Sequence, residues 1–196
     1  QNELSELPAE VFSGLSNLQE LDLSWNTLSE LPAEVFAGLS SLQELNLHGN
    51  YLGQLPAEVW AHLFAGLSNL RVLDLSRNTL SELSSKVWSK SFAGLSHLQE
   101  LYLGGNDLSE LHAGVFSGLG RLQELHLGYN SLTRLHAGVF SGLSNLQELD
   151  LWSNKLSELP AEVFSGLRNL QHLDLGYSKL PAEVWANLFA GLSKLQ

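Results

Sequence analysis

The chain has 196 residues, 44% of them hydrophobic, with 21 acidic against 10 basic side chains and a formal charge of −11. That hydrophobic share sustains a sizeable core and excludes a disordered chain. The acidic balance excludes a nucleic-acid backbone binder, which needs clustered Lys and Arg, and the lack of cysteine excludes disulfides, thiolate zinc sites and cysteine nucleophiles.

Read in chain order, the sequence opens on Gln1-Asn2-Glu3-Leu4, without the charged and apolar regions of a signal peptide. It then repeats itself. After a partial unit (residues 1–14), units begin at Leu15, Leu39, Leu67, Leu95, Leu119, Leu143 and Leu167, and a fragment (residues 192–196) closes the chain. Their lengths are 24, 28, 28, 24, 24, 24 and 25 residues, on the template L-x-x-L-x-x-L-x-L-x-x-N-x-L-x-x-L-P-x-x-x-F-x-G. The expected organisation is one continuous array over residues 1–196.

Each unit starts with a segment such as L-Q-E-L-D-L, whose leucines alternate with polar residues. This is the period of a strand with one buried face: Leu18, Leu21 and Leu23 inward, Glu20, Asp22 and Ser24 outward. The same register in every unit requires parallel strands joined by crossovers on the other side. One unit cannot bury its leucine face alone, whereas stacked units form a continuous core. An asparagine follows each strand (Asn2, Asn26, Asn50, Asn78, Asn106, Asn130 and Asn154), placed to satisfy the backbone of an inward-turning loop. Ser178 takes the eighth place, and an irregular turn is expected there. All eight phenylalanines share one template position, which makes them a packing spine. The longer units insert Trp60-Ala61-His62-Leu63, Trp88-Ser89-Lys90-Ser91 and Trp185-Ala186-Asn187-Leu188, where short amphipathic helices with buried tryptophans are expected.

This template resembles the leucine-rich repeat family over the whole chain, and its 24-residue length and phenylalanine spacing are similar to the typical subclass of Toll-like receptor ectodomains and lamprey variable lymphocyte receptors. The resemblance implies an α/β fold: a right-handed solenoid arc with a concave parallel β-sheet and convex short helices or loops. It also implies recognition of a protein partner and, for a natural protein, an extracellular or cell-surface location.

The copies differ mainly on the outward side of the strand and just after it. The varied columns read Asp22, Asn46, Asp74, Tyr102, His126, Asp150, Asp174; then Ser24, His48, Ser76, Gly104, Gly128, Trp152, Gly176; then Trp25, Gly49, Arg77, Gly105, Tyr129, Ser153, Tyr177. Drift on a solvated face would supply Lys, Glu, Ser or Thr more readily than Trp and Tyr, which concentrate at binding hot spots. The expected partner-binding residues are therefore Tyr102, His126, Tyr129, Trp152, Tyr177, Asp150 and Asp174 in the C-terminal half, with Trp25, His48 and Arg77 before them.

Nine carboxylates share this face (Glu20, Glu44, Glu100, Glu124, Glu148, Asp22, Asp74, Asp150, Asp174) with Arg71 and Arg77. They serve either solubility or a basic protein partner. No cofactor or metal is expected. The Ser24, His48, Ser76 and Asp74 group lacks a pocket and an oxyanion hole. His126 and His172 lie two repeats apart, and His112 and His136 read as surface substitutions for Pro. The expected function is non-enzymatic protein recognition. The alternative is an engineered consensus scaffold without a natural ligand, suggested by the near-identical repeats and the absence of Cys and Met. No run of about 18 apolar residues is present to span a membrane. Neither end carries a polar capping unit, so end-to-end self-association is expected.

Overall fold

The structure, a computed structural model, describes residues 3–81 and 85–196. Seven three-residue strands form one parallel sheet in chain order: β1 (Glu20–Asp22), β2 (Glu44–Asn46), β3 (Val72–Asp74), β4 (Glu100–Tyr102), β6 (Glu124–His126), β8 (Glu148–Asp150) and β9 (His172–Asp174). A second, two-stranded parallel ladder pairs β5 (Glu110–Leu111) with β7 (Arg134–Leu135) on a different side of the units. The register is uniform, with Leu21, Leu45, Leu73, Leu101, Leu125, Leu149 and Leu173 stacked in one row. The architecture is a solenoid of stacked units carrying one parallel sheet, as the repeated register requires and the resemblance implies.

The strands are short because only the L-x-L segment alternates, but hydrogen bonding continues past them. Leu23 N–H donates to the Asn46 carbonyl at 2.8 Å and Trp25 N–H to the His48 carbonyl at 2.8 Å, and later units repeat the pattern. Behind the sheet the leucine columns are almost completely enclosed. Fully burying one such side chain contributes about 1.5–3 kcal/mol.

Asn26, Asn50, Asn78, Asn106, Asn130 and Asn154 are all buried, whereas Asn2 lies outside the described residues. Each of the later amides bridges two units. Asn130 Nδ2 donates to the Leu127 carbonyl of its own unit and the Leu103 carbonyl of the preceding one, both at 3.0 Å, while its Oδ1 accepts from Leu108 N–H at 3.1 Å. At Ser178 this arrangement gives way to a local turn closed by its own N–H on the Leu175 carbonyl at 3.2 Å.

On the opposite side, the 24-residue units use turns and the longer ones form helices: α1 (Ala57–Trp60), α2 (Ser85–Phe92) and α3 (Ala182–Leu188). Pro56 stands as the cap before α1 rather than as its first residue. Trp60 and Trp88 are buried with ring centroids 5.9 Å apart, and the Ser91 hydroxyl donates to the Trp60 carbonyl at 2.7 Å. Trp185 departs from that expectation: it is 39% exposed. The phenylalanine spine is continuous in places, with Phe116, Phe140 and Phe164 stacked at 6.4 and 5.9 Å.

Candidate functional site

Three columns of side chains rise from the sheet and its following turn, and the backbone beneath each is fixed differently. The first holds Asp22, Asn46, Asp74, Tyr102, His126, Asp150 and Asp174. Wherever this column carries Asp or Asn, the side-chain oxygen accepts the N–H two residues on: Ser24 at 2.8 Å, His48 at 3.0 Å, Ser76 at 2.8 Å, Trp152 at 2.7 Å and Gly176 at 2.8 Å. These acidic groups therefore close the exit of each strand. Bonds to the Ser24 hydroxyl and backbone hold the Asp22 carboxyl below its ordinary value.

Tyr102 and His126, the two exceptions in that column, stack face to face with centroids 4.5 Å apart and planes 6° from parallel. The Tyr102 hydroxyl donates to Glu100 Oε2 at 2.9 Å. Burial, then that bond, push the phenol well above its ordinary range, so it remains a donor. His126 lies between Asp150, 3.9 Å from Nδ1, and Glu124, 3.5 Å from Nε2. Chiefly the Asp150 carboxylate raises the imidazole above its ordinary value, against the opposing effect of burial. Burial pushes Asp150 upward, but His126 and the Trp152 N–H outweigh it and the net direction is down. His48 likewise lies 3.6 Å from Asp74, so each of these two histidines is set against a carboxylate of the next unit.

The third column is the most constrained. Trp25, Arg77, Tyr129, Ser153 and Tyr177 all take left-handed backbone angles, with φ between 53° and 58°, and Gly49 and Gly105 complete the column at 66° and 65°. In six of the seven units the residue that follows is the buried asparagine, and Tyr177, followed by Ser178, keeps the same angle. Glycine is the least costly occupant. A bulky L-residue there costs on the order of 1 kcal/mol, yet two tyrosines and a tryptophan occupy it.

The second column lies between them, and its glycines make room for neighbours. A Cβ on Gly176 would collide with Trp152 Cδ1, and one on Gly128 would stand 2.7 Å from Asp150 Oδ2. The Trp152 indole therefore lies over Gly176, in edge contact with Tyr129 (4.5 Å) and Tyr177 (5.0 Å). Tyr129 and Tyr177 are 63% and 79% exposed. Towards the N-terminus a separate group forms, with Trp25 against His48 at 4.9 Å and the Arg77 guanidinium 6.0 Å from the indole centroid. A hollow of about 660 Å³ beside it is bordered by Trp25, Tyr51, Arg77 and Thr79.

All ten expected residues accordingly lie on one side of the sheet, and their rings fall into three groups: Tyr102 with His126, Trp152 with Tyr129 and Tyr177, and Trp25 with His48 and Arg77. Sequence reasoning favoured the C-terminal group and missed the left-handed column, although Gly49 and Gly105 in the same template place signalled it. It also read His112 and His136 singly, where the structure brings them together on the β5–β7 ladder. Among the described residues, no hydrogen bond joins Ser24 or Ser76 to His48.

A family model described as "Leucine rich repeat" matches residues 1–52, 57–108, 86–132, 96–151 and 144–196. No curated protein sequence matches the chain. Among solved structures, the TLR13–ssRNA13 complex is similar at 34% identity with a TM-score of 0.90, over 100% of this chain and 28% of that one. FLRT2, in an octameric complex with Latrophilin 3 and Unc5D, is similar at 26% identity and 0.82, over 100% of this chain and 57% of the other. An internalin C2 of Listeria monocytogenes is similar at 27% and 0.74, over 98% and 74%. The chain thus spans little more than a quarter of the TLR13 chain and just over half of the FLRT2 one.

Proposed function

The chain belongs to the leucine-rich repeat family, whose repeats commonly mediate recognition between proteins, and from that premise we propose that it is a non-enzymatic module that binds a protein partner on its sheet face. One observation carries the reading. Of the nine large apolar side chains exposed among the described residues, Leu4, Val11 and Leu15 precede β1 and Trp185 and Phe189 lie on α3 or just after it, and the other four are Trp25, Tyr51, Tyr129 and Tyr177. Trp25, Tyr129 and Tyr177 stand in the left-handed column, in a backbone conformation that disfavours them, and Tyr51 follows two residues after Gly49 of that column. Rigid aromatics anchored over glycines on a hydrogen-bonded ladder lose little entropy on binding.

The binding residues in this reading are Tyr129, Trp152 and Tyr177 as anchors, framed by Tyr102, His126, Asp150 and Asp174, with Trp25, His48 and Arg77 as a second contact area. Array residues 1–196 act as one unit, and the partner presents basic groups to the remaining unpaired carboxylates. Of the similar structures, one is a complex with single-stranded RNA and another is a complex with proteins. Nine carboxylates against two arginines on this face favour a protein, because phosphate contacts need the opposite balance. The partner's place is the cell exterior or surface, in keeping with the resemblance to receptor ectodomains. Among the described residues no helix is long and apolar enough to cross a membrane.

The test is capture from extracellular fractions by the intact chain and by a Tyr129→Gly/Trp152→Ala/Tyr177→Gly variant. A defined protein retained by the first and lost by the second supports the reading. Equal capture by both, or none by either, refutes it, and the latter outcome is what a scaffold without a ligand would give.

A further inference from the structure

The side of the units away from the main sheet carries its own departure from the repeat text. In the units beginning at Leu95 and Leu119, L-P-A-E-V-F becomes L-H-A-G-V-F, which places His112 and His136 where other units have Pro32, Pro56, Pro160 and Pro181. Losing the proline has a backbone consequence: His136 N–H donates to the Leu111 carbonyl at 3.4 Å, and β5 and β7 pair beside it. Any residue with an N–H would serve that ladder. It accounts for the loss of proline at His136, but not for the choice of imidazole in both units.

The ladder registers Glu110 beside Arg134 and brings the two imidazoles together, with ring centroids 4.6 Å apart. Both Nε2 atoms face one carboxylate oxygen, Glu110 Oε2, at 3.9 Å from His112 and 3.8 Å from His136. Arg134 holds the other oxygen, Oε1, at 3.2 Å and so fixes which one turns to the histidines. One nitrogen or oxygen from each of the three side chains lies within 4.8 Å of the others, and among the described residues no other such group of three occurs. His136 Nε2 is shielded from solvent and meets no hydrogen-bond partner. An enclosed imidazole nitrogen with no partner is costly, and a cation between the three groups would satisfy it.

We propose that Glu110, His112 and His136 form a three-ligand site for a divalent transition-metal ion, zinc being the ion that two imidazoles and a carboxylate suit. Bonds of about 2.0–2.2 Å in a tetrahedral arrangement put ligand atoms about 3.4 Å apart. The observed separations therefore have to contract, by about 0.4–0.5 Å for the two carboxylate–imidazole distances. Glu110 and His112 can move to do so, with side chains 35% and 50% exposed. A fourth position stays open to water or to a partner's side chain. The site is separate from the aromatic face and does not rest on the recognition reading.

The experiment uses the full chain without a histidine tag, titrated with zinc chloride alone by calorimetry and with cobalt(II) by visible absorption. The expected result is saturable one-to-one binding with the cobalt bands of nitrogen and oxygen coordination. His112→Gln and His136→Gln should each weaken it by roughly 10- to 100-fold or more, and His172→Gln on the sheet face should leave it unchanged. Zinc should raise the unfolding midpoint of the wild-type chain by mass action but not that of the double variant. Because His112 is half exposed, His112→Gln folds normally and keeps the test decisive even if His136→Gln does not. Absence of saturable binding, or affinity that survives His112→Gln, overturns the proposal.

Discussion

Replacing Asn106 with Ala isolates the row of asparagines that ties the units together. The Asn106 amide donates from Nδ2 to the Leu103 carbonyl at 2.9 Å and the Leu75 carbonyl at 3.1 Å, and its Oδ1 accepts from Asn78 N–H at 2.8 Å and Leu80 N–H at 3.1 Å. The two carbonyls keep another donor after truncation, since Asn130 Nδ2 also reaches Leu103 and Asn78 Nδ2 also reaches Leu75. The two N–H groups do not. Leaving a buried donor unsatisfied costs about 1–3 kcal/mol, so Asn106→Ala should cost roughly 2–6 kcal/mol. Asn130 Oδ1 serves one such N–H, that of Leu108, so Asn130→Ala should cost about half as much. Asp107, exposed beside Asn106, is the control and should change stability by no more than about 0.5 kcal/mol. Urea unfolding of the three variants gives the ordering, and amide exchange at Asn78 and Leu80 reports whether those two donors are the ones released. Equal midpoints for Asn106→Ala and Asp107→Ala, or a larger loss at Asn130, would refute this account of the asparagine row.

Three further outcomes follow from the sheet face. His126 is raised above its ordinary value, so its contribution is complete below about pH 6.5 and is lost as pH rises through the raised value. His126→Gln should therefore lower the urea midpoint more at about pH 5.5 than at about pH 9, and the reverse ordering would remove the carboxylate cradle as its cause. Tyr177→Gly should be more stable than Tyr177→Ala by about 1 kcal/mol, because only glycine relieves the left-handed strain; thermal unfolding that ranks alanine higher would deny that strain. Gly176→Ala should push the Trp152 indole aside, seen as a shift of its Nε1–H resonance, for a modest stability loss of about 1 kcal/mol. An unmoved resonance would mean that Trp152 does not rest on Gly176.

The framework was legible because its physics is periodic. Leucines two apart and phenylalanine at one place recur in every unit, and an asparagine after the strand in all but the unit of Ser178, and each recurrence names a contact between units. Features that depend on backbone angle or on three-dimensional adjacency were less visible. Trp25 and Tyr129 give no local sign of a positive φ; only Gly49 and Gly105 at the same place do. Asp74 and Asp150 read as surface charge, yet each closes its own strand and pairs with a histidine from the preceding unit, His48 at 3.6 Å and His126 at 3.9 Å. His112 and His136 look like isolated substitutions until the 24-residue spacing is applied to both. Trp185, exposed where Trp60 and Trp88 are buried, departs from its pattern because burial in a solenoid is set by contacts between units and not by the residue type itself.

The central claim is that the strained aromatic column and its glycine floor form the recognition surface. Its most direct test is the affinity of the captured partner for Tyr129→Gly, Trp152→Ala and Glu162→Ala, measured by calorimetry beside the melting temperature of each variant. Aromatic anchors at the centre of an interface should lose about 2 kcal/mol or more on truncation, roughly 30-fold in affinity. Tyr129→Gly should do so with its melting temperature nearly unchanged, and Glu162→Ala, on the opposite side of the array, should leave affinity untouched. Weakening by Glu162→Ala with full affinity retained in both aromatic variants would contradict the claim and put recognition on the other side of the units.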